Sequence, residues 1–149
     1  MKSSLFASVL LLSASAANAA YTSFSPASVT IPRGGVSQEI TLRISGDYAS
    51  VAAETRLNLL LSQLDFVEIT PSSGNACVIM AGKLYVDVCT PLGTPLPIAV
   101  ANMCKFRVRA RFSATPGSYS LTHSNTYSYD QSGDLTNSTV QNAAISITP

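Results

Sequence analysis

The sequence contains no tryptophan and one histidine, and only 11% of its 149 residues are charged. Each shortage excludes something. Nine basic residues against eight acidic ones leave a formal charge of +1, without the basic excess of a nucleic-acid-binding domain. Low charge combined with 46% hydrophobic residues excludes a disordered, solvating chain. A Ser-His-Asp or Cys-His site would have to be built on His123, and no nucleophile motif such as G-x-S-x-G accompanies it. No spacing of His and Cys fits zinc. The run Asp130-Gln131-Ser132-Gly133-Asp134 lacks the regular acidic spacing and closing Glu of a calcium loop and reads as a turn. No two carboxylates can be assigned to one cleft for glycoside hydrolysis. The expectation is a protein that is not an enzyme and takes no cofactor.

Long apolar runs are also scarce. Residues 5–12 (LFASVLLL) follow Met1-Lys2 and precede Ala17-Asn18-Ala19, a small-x-small cleavage pattern. Together these predict a secretory signal peptide over residues 1–19, because the run is too short to span a bilayer. Residues 20–149 then form a single domain, and without Lys2 its basic and acidic residues balance. No later run predicts a membrane span, so the expected localisation is secreted, extracellular or periplasmic. A chain of this size buries roughly two thirds of its unfolded surface, enough for its own core.

What is present reads as all-β. Residues 27–31 (ASVTI) begin a strand before the turn cluster at 32–35, and residues 38–45 alternate with Ile40, Leu42 and Ile44 on one face. In 54–62, Leu57, Leu59 and Leu61 oppose Glu54, Arg56 and Asn58. Further strands are predicted at 65–70, 76–80 and 83–88, followed by a loop marked by Pro91, Pro95 and Pro97. In 104–112 (CKFRVRARF), Cys104, Phe106, Val108, Ala110 and Phe112 face one way and four basic residues the other. Strands at 117–123, 125–130 and 139–147 complete the set, the pattern of a β-sandwich or jelly roll.

Three cysteines in an exported chain predict one pair and one remainder. A two-residue turn at Ala81-Gly82 makes 76–80 and 83–88 a hairpin with Cys77 opposite Val86, on the inward face. Cys89 has the opposite parity and would face position 74, roughly 10 Å along the strand from Cys77. That exceeds disulfide reach, about 5.5–6 Å between Cα atoms. Cys104 is inward by its own alternation. The expected disulfide is Cys77–Cys104, leaving Cys89 as a free thiol at a strand end or in an intermolecular disulfide.

Two surface features remain. Lys105, Arg107, Arg109 and Arg111 make a basic stripe, read either as a solvated face partnered by Asp87 or Glu54 or as a surface for an acidic polysaccharide or protein. Tyr127 and Tyr129 share a strand face and offer two aligned rings.

QEITLRISGD (38–47), RLNLLLSQLDFVEITPSSG (56–74), CKFRVRARFSATPGSYSLT (104–122) and DQSGD (130–134) follow one another as in the cohesin-like domain family. The chain resembles that family, which is related in fold to some carbohydrate-binding modules, over about residues 27–147. The resemblance implies a nine-stranded jelly-roll β-sandwich and a non-catalytic binding or adhesion role. In cohesins one sheet face binds the dockerin of a partner enzyme. On this resemblance the strands at 54–62, 83–88, 104–112 and 125–130 form that sheet. Its candidate face then carries Arg56, Asn58, Tyr85, Asp87, Lys105, Arg107, Arg109, Arg111, Tyr127 and Tyr129. Unlike the scaffold proteins, the sequence shows one domain with no repeat, dockerin or cell-wall anchor. The expected partner is an extracellular polysaccharide or a secreted protein. The alternative is a structural subunit of a fibre or matrix that self-associates through Cys89 or sheet edges.

Overall fold

The computed structural model describes residues 21–45, 50–72, 75–80, 83–89, 101–130, 132 and 135–149. The expected signal peptide, the proline loop and most of DQSGD lie outside the described residues. Alternation of apolar and polar residues makes strands of nearly everything described, and the strands stack as two sheets. β1 (Tyr21–Ser25), β3 (Ile40–Ser45), β5 (Leu64–Pro71), β8 (Ala101–Ala110) and β11 (Thr139–Val140) form one, in the order β11-β1-β3-β8-β5. The other contains β2 (Ser28–Pro32), β4 (Ser50–Asn58), β6 (Asn75–Met80), β7 (Lys83–Cys89), β9 (Gly117–Asp130) and β12 (Ala143–Thr148). Its order is β2-β12-β9-β4-β7-β6, with β10 (Leu135–Asn137) paired to β9.

Two segments change sheets. β1 and β2 are separated by two residues, with a cis Ser25–Pro26 peptide between them, and β11 and β12 are separated by Gln141 and Asn142. The first pair runs parallel to the second in both sheets, Tyr21 beside Thr139 and Val29 beside Ile145. Counting each of these segments as one strand and leaving out three-residue β10 gives the nine strands of the expected jelly roll.

The core lies between the sheets. Ile40, Leu42 and Ile44 enter it from β3, and Cys104, Phe106, Val108 and Ala110 enter it from β8, as their alternation predicts. Phe106 sits edge-on to Phe24 and Phe66, with ring centres 6.3 and 5.5 Å apart. Such pairs add about 0.5–1.5 kcal/mol to the burial of the rings themselves. Cys77 is bonded to Cys104, their Cα atoms 6.4 Å apart, tying the edge strand β6 to β8 in the opposite sheet. The hairpin register is the one read from the sequence: Met80 opposes Lys83 and Cys77 opposes Val86.

Four expectations are corrected. Leu61 does not face inward, because Gln63 and Leu64 donate to the Leu60 carbonyl (2.9 and 3.0 Å) and turn the chain out of the sheet after Asn58. Phe112 is 86% exposed, since β8 ends at Ala110 and Ala114 N closes a turn on Arg111 O. Residues 117–123 and 125–130 are one strand, and 139–147 is two. β1, unpredicted because its Thr and Ser residues hide its alternation, buries Thr22 and Phe24.

Candidate functional site

The basic stripe follows from β8 alone. With Phe106, Val108 and Ala110 buried, Lys105, Arg107, Arg109 and Arg111 are left on the solvent side. They are not partnered by Asp87 or Glu54. Lys105 meets Glu39 (3.0 Å), Arg107 meets Glu68 (2.9 Å), and Arg109 and Arg111 share Asp65 (3.5 and 2.6 Å). The reason is pairing: β8 lies between β3 and β5, with Asp65 opposite Arg109 and Val67 opposite Arg107. A register shift after Val67 gives β5 one extra residue, and Glu68 there takes a positive φ of 51° and presents its carboxylate to Arg107. Each exposed pair contributes well under about 1 kcal/mol, so the acids mainly neutralise the stripe.

The opposite sheet carries the tyrosines, and a bulge puts them there. In β9, Leu121 is buried and His123 points inward opposite Leu57, so odd-numbered residues face the core. Glu54 pairs with Tyr127 but Arg56 pairs with Ser124, so β9 holds one extra residue between them. Beyond it the parity inverts: Ser128 is buried, and Tyr127 and Tyr129 turn outward beside Glu54 and Ala52. Without that extra residue both rings would point into the core.

Thr55 holds the bulge from the core side. Its Oγ1 lies 3.0 Å from His123 Nδ1 and 2.6 Å from Thr126 Oγ1, binding the residues on either side of the extra one. His123 Nε2 lies 3.2 Å from the Gln141 carbonyl, and the Phe24 ring is 5.0 Å away. The arrangement is satisfied by a neutral ring: Nε2–H donates to Gln141, and Nδ1 accepts from the Thr55 hydroxyl, which accepts from Thr126. Burial pushes the His123 pKa down to about 4, against a smaller upward effect of the Gln141 hydrogen bond. With both ring nitrogens engaged, the only histidine is a structural group rather than a base aimed at a substrate. Among the described residues no cluster of three or more His, Cys, Asp or Glu is placed to hold a metal.

The sequence matches no protein-family model and no curated relative. Solved structures do match. The chain is similar to the third ScaC cohesin of Acetivibrio cellulolyticus, solved with the ScaB dockerin, with a TM-score of 0.71 and 13% identity over 87% of this chain and 99% of that one. A cohesin from Clostridium acetobutylicum superposes with a TM-score of 0.69 at 14% identity, covering 88% of this chain and 92% of its own. The fold is that of the cohesins. A non-cellulosomal cohesin from the archaeon Archaeoglobus fulgidus gives 0.65 at 12% identity, covering 88% and 91%.

On this cohesin-like sandwich the candidate face splits. Arg56, Asn58, Tyr127 and Tyr129 lie on the outer face of neighbouring strands β4 and β9, and the backbones of Tyr85 and Asp87 pair with Arg56 and Glu54. Lys105, Arg107 and Arg109 belong to β8, in the other sheet, Arg111 directly follows it, and all four face the opposite side of the molecule. The error has a physical source, because alternation shows that a strand has an inner face but not which sheet it joins. Cys89 ends β7 opposite Ala52, and its thiol lies outside the described side chains. The sequence reading missed Thr55 and Thr126 altogether. Their only sequence signal is a Thr at the centre of an otherwise apolar inward set (Ala53, Thr55, Leu57). No helix among the described residues is long and apolar enough to cross a membrane.

Proposed function

We propose that this chain is a non-catalytic, cohesin-like binding module, exported after removal of residues 1–19, that docks a secreted protein on the outer face of β9, β4 and β7. The observation that carries this reading is the bulge in β9. An extra residue, its neighbours His123 and Thr126 both hydrogen-bonded to a buried threonine, turns Tyr127 and Tyr129 outward beside Glu54 and Ala52, on the face that also carries Arg56 and Asn58. Tyrosine and arginine are the residue types that concentrate binding energy at protein interfaces. The stripe on the far sheet has arginines but no tyrosine among them, and each of its cations already meets a carboxylate. The cohesin neighbours solved with dockerins support the same class of partner.

The test is capture by the purified, oxidised protein from the host's secreted proteins and, separately, on its insoluble polysaccharides. Capture of one defined secreted protein, weakened at least tenfold by Tyr127→Ala/Tyr129→Ala and unaffected by Arg107→Ser, is the expected result. Retention on polysaccharide after protease treatment would replace this reading with carbohydrate recognition. Recovery of the chain alone, abolished by Cys89→Ser, would favour a structural subunit.

A further inference from the structure

We infer a second docking surface, separate from the β9–β4–β7 face, at the end of the five-stranded sheet where β8 runs out: a cleft for an acidic peptide segment with an apolar anchor. The cleft, of about 400 Å³, is lined by Asp65, Arg109, Ala110, Arg111 and Phe112. Its most unusual member is Phe112, 86% exposed where few aromatic rings among the described residues are exposed. The ring lies against Gly34, so closely that a side chain there would run into it, and Gly34 adopts the positive φ (78°) that glycine accepts readily. A ring resting on backbone on one side and open on the other presents its apolar area to an incoming segment.

Its surroundings are apolar too. Val36, bridged to Arg109, is 44% exposed, and Leu60, in the turn whose Gln63 carbonyl accepts from Arg111 N, is 50% exposed. Exposed apolar side chains grouped within a rim of charge offer an interaction site. The rim selects the sign of the partner. Lys105 and Arg107 each have a carboxylate of their own, whereas Arg109 and Arg111 divide one between them, Arg109 on Asp65 Oδ2 and Arg111 on Oδ1. The cleft therefore keeps one net positive charge, and each guanidinium retains N–H donors for a further carboxylate. The aliphatic neighbours favour peptide over glycan, since sugars stack on flat rings and gain little from Val and Leu side chains.

The probe is a six-residue peptide with a Leu-Phe pair between two glutamates on either side, titrated into the full-length, oxidised, ¹⁵N-labelled protein. Shifts should centre on the amides of Gly34, Asp65, Arg111 and Phe112 and fade with added salt. Phe112→Ala and Arg109→Ser/Arg111→Ser should each weaken binding at least tenfold, while Tyr127→Ala/Tyr129→Ala leaves it unchanged. Phe112 is almost wholly solvent-exposed, so its removal does not threaten the fold. No binding at millimolar peptide, equal binding of a lysine-for-glutamate peptide, or shifts confined to β9 and β4 would each overturn the proposal. So would a cleft that takes oligogalacturonate and ignores the peptide.

Discussion

Lowering the pH from 7 to 4 should destabilise this protein in a way that one side chain accounts for. His123 sits between the Phe24 ring, the Thr55 hydroxyl and the Gln141 carbonyl, partners that are all uncharged. Folded, it titrates at about 4; unfolded, at its ordinary value of 6.5. Between those values the unfolded chain binds the additional proton, so stability falls as the pH drops through the window and is independent of this group above it. The full gap converts to about 3 kcal/mol, and partial solvent access to the ring reduces this to about 2 kcal/mol. The assay is urea unfolding at pH 7, 5.5 and 4 for the wild type and His123→Gln. Carboxylates titrate in both proteins, so the difference between the two slopes isolates the imidazole. At typical urea sensitivities the wild type should lose about 1 M more of its midpoint than the variant. Parallel curves, or an NMR titration of the His123 ring in the folded protein with its midpoint near 6, would refute the buried, neutral assignment.

Three further outcomes follow from the same structure. Cys77→Ala/Cys104→Ala opens a bridge spanning 27 residues and should cost about 3.5 kcal/mol on the loop-entropy estimate, read as the difference in unfolding free energy from the oxidised wild type. Thr55→Val keeps the side chain's shape but removes both hydroxyl contacts at the bulge. It should cost about 2–4 kcal/mol and raise hydrogen exchange at Ser124 to Tyr127, and unchanged exchange there would show that Thr55 does not hold the bulge. Asp65→Asn should change stability by less than about 1 kcal/mol despite touching two arginines, because every partner is exposed; a loss above 2 kcal/mol by thermal unfolding would contradict that.

Local pattern made much of the fold legible. Period-two alternation identified β3 and β8 and their inward residues, and a two-residue turn fixed the β6–β7 register and with it the cysteine pairing. What alternation cannot carry is partner choice. The acids that neutralise Lys105 to Arg111 come from residues 39, 65 and 68, at separations where only the folded sheet order says who meets whom. The candidate site suffered for the same reason: β8 was joined to the wrong sheet, and four of ten face residues went with it. The outward placement of Tyr127 and Tyr129 was read correctly as a shared face, but the bulge that makes the face outward is invisible in the sequence. It depends on the pairing of Arg56 with Ser124 across the sheet.

The lateral pairing of the first and last segments has a consequence for how the molecule comes into being. Among the described strands, β2 has no neighbour but β12, and β1 gains its second neighbour from β11. Residues 28–32 therefore have no sheet to join until residues 143–148 arrive, more than a hundred positions later in synthesis. A chain emerging from a ribosome or a translocation channel stays open at that seam until its final strand is released. Such long-range closure slows folding toward the millisecond-to-second range. It also makes the last six paired residues the latch of the whole sandwich, so that removing them should unfasten its beginning.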